Sequence, residues 1–257
     1  MAAIGAPIGA DSFMRFSFEG MAKILMVLTG TDVWTLKDGT KHPTGFWAEE
    51  AVVPYRALKA AGHEVAVATP GGVVPTADAG SLAGEVPAEL VGDGTDHAPA
   101  TWREAVDAIA ELRTPLTLSE VSIDDYDAVL YPGGHGPMED LAVDADSGRL
   151  LTAALASGKP LAVVCHGPAA LLAARTEDGA SPFAGYRVAA FTNAEETQAG
   201  LADQAPWLLQ DRLTADGVLV EVAEPWTPHV VVDRNLITGQ NPMSSAPLSA
   251  ELVNRLG

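Results

Sequence analysis

The sequence predicts an α/β fold: a doubly wound, mostly parallel sheet with helices on both faces and a small insertion near the active site. Three observations predict it. Short apolar runs alternate with segments of helical spacing throughout residues 21–257, and strand–helix–strand repeats imply parallel pairing with right-handed crossovers. The runs are continuously apolar, as in "PLAVVC" (160–165), which fits strands buried on both faces. No internal repeat or low-complexity linker divides the chain, so residues 21–257 read as a single domain.

The elements follow in order. Residues 1–20 have no apolar periodicity and read as a loose extension; Met21 opens the first strand, "KILMVLTG" (23–30). "AVVPYRALKAAG" (51–62) has helical spacing and stops at Gly62, a C-terminal cap signal. "HEVAVATPGG" (63–72) is a second strand, and the irregular stretch 70–100, rich in Gly, Pro, Ala and Asp, is the insertion. "TWREAVDAIAELRT" (101–114) is a helix with Thr101 and Glu104 spaced as a capping box. "DAVLYPGGHG" (127–136) is a strand running into a glycine loop, "ADSGRLLTAALASG" (145–158) a helix and "PLAVVC" the next strand. "YRVAAFT" (186–192) is a further strand, "APWLLQDRLTADG" (205–217) a helix and "VLVEVA" (218–223) a strand. "HVVVDRNLITGQNP" (229–242) suggests paired strands, and "SAPLSAELVNRLG" (245–257) is a closing helix.

Composition narrows the function. A chain of 257 residues with 47% hydrophobic content can bury a sizeable core. The formal net charge of -19 argues against nucleic acid and anionic membrane surfaces as partners, because phosphate recognition needs clustered Lys and Arg. One cysteine excludes an intramolecular disulfide framework and points to a reducing, cytoplasmic setting. No apolar run approaches the roughly 18 residues of a membrane span, and the N-terminus lacks the pattern of a secretory signal. The six histidines show no close ligand spacing, so no metal is expected; His42, His97 and His135 read as surface or loop residues.

The single thiol, Cys165, stands where a strand ends and an alanine- and leucine-rich run begins. Ligands of doubly wound sheets bind at such ends, and a tight turn there presents a side chain as a nucleophile elbow. Pro168 suits the first turn of a following helix, whose positive end should lower the thiol pKa. A lone cysteine after Ala-Val-Val reads equally as a small buried hydrophobe. A second loop, "LYPGGHGPMED" (130–140), opens at the same sheet edge. Its Gly133, Gly134 and Gly136 let backbone amides face the crevice as part of an oxyanion hole. Phosphate binding is the rival, but no Gly-Lys-Ser/Thr follows. In "HPTGFWAEEAVVPY" (42–55), Glu49 and Glu50 lie beside Phe46 and Trp47. A carboxyl desolvated there gains pKa and can act as acid or base near neutrality; the alternative is ordinary first-turn acids facing solvent. Pro54 should start or kink the helix and present Glu50 from an irregular position.

"TGFWAEEAVVPY", "GGHG", "AVVCHGPAAL", "FTNAEE" and "LITGQNPMSS" together resemble the ThiJ/PfpI superfamily, whose flavodoxin-like fold is related to the class I glutamine amidotransferases. The nearer resemblance is to its glyoxalase III branch of glutathione-independent glyoxalases and heat-inducible chaperones. The segments spread over residues 44–245. The resemblance implies Cys165 as nucleophile with His166 beside it, and Glu50 as the acid that hydrogen-bonds the thiolate. It implies Glu196, or Glu195 one residue away, as the carboxylate orienting the histidine. The amides of Gly134 and His166 would form the oxyanion hole, and Trp47, Gly133 and His135 would line the substrate pocket. It also implies a homodimer, a small dicarbonyl or aldehyde substrate and no cofactor.

The implied reaction converts methylglyoxal to lactate through a Cys165 hemithioacetal, with Glu50 moving a proton between the two carbons. Alternatives are a deglycase, a stress-response chaperone, or a redox sensor whose exposed, low-pKa thiol oxidises. A peptidase or amidotransferase is weaker, since no His-x-Glu follows Cys165; an α/β-hydrolase elbow would need glycine where Val163 stands. Deleting residues 1–20 should leave the thermal unfolding midpoint unchanged, because segments without periodicity ahead of the first strand contribute few contacts; a large fall measured by circular dichroism would show that the extension packs on the domain.

Overall fold

The most apolar runs of the chain become the centre of a seven-stranded sheet. The computed structural model describes residues 20–87, 90 and 101–257; the proposed N-terminal extension, apart from Gly20, and His97 lie outside them. The chain begins with β1 (Lys23–Val27), a hairpin of β2 (Val33–Thr35) and β3 (Lys41–Pro43), α1 (Ala48–Ala60) and β4 (Glu64–Thr69). It continues through α2 (Trp102–Asp107), β5 (Leu116–Thr117), β6 (Ala128–Tyr131), α3 (Gly136–Glu139), α4 (Ala145–Ser157) and β7 (Leu161–Val164). After a 3-10 stretch (Gly167–Ala173) come β8 (Arg187–Val188), α5 (Asn193–Gln198), α6 (Leu209–Ala215), β9 (Leu219–Val220), β10 (Val230–Asp233), β11 (Leu236–Gly239) and α7 (Ser245–Leu256).

The main sheet runs β10-β11-β7-β6-β1-β4-β5, and its pairs are parallel except β10 with β11. Every residue of β6, β7 and β11 is buried, on both faces of the sheet, so the strands are nearly continuous apolar runs; the hydroxyl of Thr238 in β11 is hydrogen-bonded to Ala189 N–H and Val231 O. Helix α1 packs beside α7, while α4 packs on the 3-10 stretch that follows β7. Among the described residues, no helix is long and apolar enough to cross a membrane.

Several expectations are corrected in detail. The run after Cys165 winds as a 3-10 helix; Gly167 to Leu172 are all buried, so packing overrides the α propensity of Ala and Leu. The helix expected over residues 101–114 stops at Asp107 and resumes as a 3-10 turn, Ala110–Arg113, though its Thr101/Glu104 capping box forms. The strands expected near residues 186–192 and 218–223 shrink to the two-residue pair β8–β9, outside the main sheet. Helix α1 runs through Pro54 with regular geometry, so Glu50 sits in a regular first turn. The buried Pro54 removes one backbone hydrogen bond, and the apolar face of Ala51, Val52 and Leu58 holds the helix in place.

Of the irregular stretch, residues 70–87 are described, and they fold against the start of α1. Phe46 N–H donates to Thr76 O at 3.0 Å, Asp78 N–H to Phe46 O at 2.8 Å and Ala48 N–H to Ser81 Oγ at 3.0 Å. The insertion thereby fixes the helix end that carries Glu50. Leu130, fully buried in β6 at the sheet centre, should cost about 2–5 kcal/mol when changed to Ala. Urea unfolding should show a lower midpoint with an unchanged slope.

Candidate active site

The chain builds outward from β1 to β4 and β5 on one side, then returns to place β6, β7 and β11 on the other. That reversal leaves a crevice outside the carboxyl ends of β1 and β6. The glycine loop after β6, the elbow after β7 and the first turn of α1 meet there.

Cys165 follows β7 directly and adopts φ 60°, a left-handed conformation that costs a non-glycine residue about 1–3 kcal/mol. Its backbone is held on both sides: its N–H donates to Gly239 O at 2.9 Å, and its carbonyl accepts from Phe191 N–H at 2.9 Å. The elbow aims the sulfur at the glycine loop, and the amides of Gly134 and His166 both donate toward it. Gly133 admits no side chain: a Cβ there would lie 2.6 Å from His166 N and 2.7 Å from Val164 O. Its N–H donates to Glu50 Oε2 at 2.6 Å, and its carbonyl accepts from Trp47 N–H at 3.0 Å. Glu50 is fully buried; its Oε1 has no hydrogen-bond partner, and its carboxyl neighbours the Cys165 thiol.

The histidine and its carboxylate lie across the sulfur. His166 Nδ1 is 3.5 Å from Cys165 Sγ, and His166 Nε2 is 2.7 Å from Glu196 Oε2. The carboxylate takes the imidazole's Nε2–H, which leaves the bare Nδ1 facing sulfur. The neighbouring acid, Glu195, has another task. Fully buried, it accepts from Thr192 N–H and Oγ1 in a capping box, and from Trp226 N–H, Gln240 Nε2 and Asn241 Nδ2. The Thr-x-x-Glu spacing of "FTNAEE" carries the signal for this, since a capping box occupies the acid at the third helical position.

Burial sets the electrostatics. It pushes Glu50 up to about 8, with the charge of Glu49 adding to the effect; Glu49 itself is raised to about 7 by desolvation. Cys165 is pushed well above the ordinary thiol range, by burial first and then by the Glu50 carboxylate, against the Gly134 and His166 amides. This corrects the expectation of a lowered thiol pKa. The sulfur's residue is only 3% exposed, and the helix expected to stabilise its charge is a short 3-10 stretch. Burial, then the neighbouring His135, hold His166 below the usual histidine range, although Glu196 pulls the other way. Burial alone would raise Glu196, but His166 and His135 hold it well below the carboxylate range.

The structure brings Cys165, His166, Glu50, Glu196, Gly133 and Gly134 together. His135 is a loop residue as expected, but not a surface one: its side chain is largely enclosed. Its Nε2 is 2.8 Å from Glu196 Oε1, and its ring stacks on Trp34 with centroids 4.9 Å apart. Trp47 is half-buried at the N-cap of α1, its indole near Gly80. Phe191, tilted against His166 at 4.3 Å, and Trp226, edge-on to Phe191 at 5.5 Å, form an aromatic wall that sequence reading missed. Residues distant in sequence also assemble a donor set: one atom each of His135, His166 and Glu196 lie within 4.8 Å of one another. Two histidines and a carboxylate are a transition-metal ligand set by type; here each carboxylate oxygen is engaged by one imidazole.

The chain belongs to the DJ-1/PfpI family, which its residues 43–255 match. It is 30% identical over 235 residues to the protein/nucleic acid deglycase HchA of Pseudomonas aeruginosa, covering 89% of this chain and 78% of that one. It is 29% identical over 249 residues to the protein/nucleic acid deglycase HchA of Staphylococcus aureus, covering 93% and 81%. Among solved structures it is similar to the Rapid Encystment Protein 24 kDa of Francisella tularensis, with a TM-score of 0.74, 27% identity and coverage of 92% and 100%. In fold it is similar to glyoxalase III of Candida albicans, with a TM-score of 0.74, 23% identity and coverage of 92% and 98%.

Removing the Glu50 charge should lower the apparent pKa of Cys165, because the carboxylate is one of the two forces that raise it. The pH dependence of iodoacetamide alkylation checks this: the limb of Glu50→Gln should lie below that of the wild type, which itself should lie above the free-thiol value of about 8.5.

Proposed function

We propose that this protein is a cofactor-independent enzyme that detoxifies reactive carbonyls, a glutathione-independent glyoxalase converting methylglyoxal to lactate. The observation that carries the proposal is a buried carboxyl, Glu50, beside the elbow thiol and with one oxygen left unpartnered. Family membership and the deglycase names of its relatives support carbonyl chemistry.

The chemistry starts from the Glu50–Cys165 pair holding one proton. The thiolate adds to the aldehyde carbon, forming the C–S bond; the carbonyl electron pair moves to oxygen, which faces the Gly134 and His166 amides and takes the Glu50 proton. The ionised Glu50 then removes the proton of that carbon, giving an enediolate with its charge on the second oxygen, and returns the proton to the neighbouring carbon, while the first oxygen's proton passes to the second. The product is a lactoyl thioester. His166, neutral and held by Glu196, deprotonates a water that attacks the thioester; the C–S bond breaks with its electron pair on sulfur, which takes the proton back from His166, and the lactic acid released ionises to lactate. A base with its pKa near the working pH suits the proton transfers, and preformed amide donors suit the oxyanion.

The deglycase reading uses the same thiol on carbonyl adducts of larger molecules. The 3% exposure of Cys165 favours a free dicarbonyl over an adduct on a macromolecule, and the net charge of -19 disfavours a polyanionic one. The same burial weighs against a redox sensor, which needs an accessible thiolate.

Purified protein assayed with methylglyoxal and glyoxal, without glutathione, should produce lactate and glycolate; activity confined to glycated peptides would replace this reading with the deglycase one. Below about 8 both members of the pair are protonated, so kcat/KM should rise with pH through about 8. Glu50→Gln should lose this limb and roughly 10²–10⁴ of turnover, Cys165→Ala should abolish turnover, and the double variant should be no worse than Cys165→Ala. Glu49→Gln should stay close to wild type; if it is inactive while Glu50→Gln is not, the acid is misassigned.

A further inference from the structure

We propose that His135 is a positioning residue, a clamp that ties the glycine loop bearing the Gly134 amide to the carboxylate that holds His166. The inference rests on the reading of Cys165 as the nucleophile and of His166 as the base that acts on water. A carboxylate bound only by His166 could rotate, since a terminal sp³–sp² torsion is broad. Here each oxygen of Glu196 takes a separate imidazole: Oε2 is 2.7 Å from His166 Nε2, and Oε1 is 2.8 Å from His135 Nε2. The second bond removes the rotation and fixes the direction of the first.

His135 can do this because it is itself immobilised. Its ring lies on the fully buried Trp34 of β2, centroids 4.9 Å apart and planes 18° from parallel. The next residue, Gly136, donates its N–H to Gly45 O at 3.2 Å. The contacts therefore run from the β2–β3 hairpin through His135 and Glu196 to His166 and the sulfur. On the other side of His135 is the Gly134 amide, so one side chain sets the oxyanion donor and the proton relay in register. Loss of such an outer hydrogen-bond partner of a functional histidine costs roughly 10–100-fold in comparable arrangements at metal sites.

The clamp also divides a charge. The groups facing His166 are Glu196 and Glu195 of α5, His135 of the glycine loop and Cys165, with Glu50 of α1 beyond the sulfur and His42 of β3 edge-on behind His135. Among them Glu196 favours the imidazolium most directly. Burial opposes it first, and His135, hydrogen-bonded to that same carboxylate, opposes it second, which leaves His166 neutral and able to act on water.

Three variants of the full chain test the clamp. His135→Gln keeps an amide N–H near the position of Nε2, His135→Asn is too short to reach Glu196, and His135→Leu removes the donor. Imidazole ¹H–¹⁵N correlations followed through a pH titration report His166 directly, without any turnover. In His135→Leu and His135→Asn, His166 should titrate at higher pH than in the wild type, and kcat for methylglyoxal should fall roughly 10-fold or more with little change in KM. His135→Gln should restore both toward wild type. If His135→Leu does not fold, the contrast between Asn and Gln decides. An unmoved His166 titration in a folded Asn or Leu variant, or a Gln variant as impaired as Asn, overturns the clamp. Should the wild type show no dicarbonyl turnover, the glyoxalase reading fails, while the His166 titration still tests His135.

Discussion

A single pair of backbone hydrogen bonds, given and received by Gly133, holds the reacting groups in register. Its carbonyl accepts the N–H of Trp47, the N-cap of α1, and its own N–H donates to the carboxyl of Glu50 three residues on. An ordinary capping box closes within one chain segment, with the N3 acid reaching back to the N-cap amide. Here a residue from the β6 loop is inserted between the two. The helix start is satisfied only when the loop is docked, and the loop is docked only where Gly133 lacks a Cβ that would strike His166 N and Val164 O. The acid, the oxyanion donors and the elbow are therefore placed by one contact.

The cost of this arrangement is burial, and burial decides the chemistry of the thiol. A cysteine at a helix start is the usual setting for a lowered pKa, and its position after an apolar strand invites that inference. The sulfur is instead enclosed, with a carboxyl against it. A resting thiolate is disfavoured in that environment, so activation has to come from sharing a proton with Glu50.

How much was legible in the sequence follows from how local each signal is. The central strands of the sheet, the elbow at Cys165 and the loop at Gly133 and Gly134 are written in contiguous runs of apolar residues and glycines, and they form as read; the runs at 186–192 and 218–223 do not join the main sheet. Glu50 was legible as a desolvated acid, although the kink expected at Pro54 is absent; the packed face of α1 carries the helix through it. The tie between His135 and Glu196 was not legible, because Trp34 and Glu196, the partners of His135, are distant in sequence and no spacing rule joins them. The same holds for Phe191 and Trp226. The winding of the stretch after Cys165 escaped because it depends on burial by other elements, which propensity does not contain.

The two acidic doublets, Glu49-Glu50 and Glu195-Glu196, show how one motif yields opposite outcomes. Each lies in the first turn of a helix, and in each case the acid at the third helical position is fixed by what occupies the N-cap. At α5 the N-cap is Thr192, whose hydroxyl and amide engage Glu195, so the third-position acid is consumed and the next, Glu196, reaches the imidazoles. At α1 the N-cap is Trp47, which has no capping side chain, so the third-position acid, Glu50, is left to Gly133 and the sulfur. Their surroundings then separate the two free acids. Glu50, enclosed without a cation, is raised to about 8 and suits proton transfer; Glu196, held by two imidazoles, is lowered and stays an anion that orients His166. Carboxyls driven apart in this way define the acid–base roles of a site, and here that division follows from a threonine at one helix start and a tryptophan at the other.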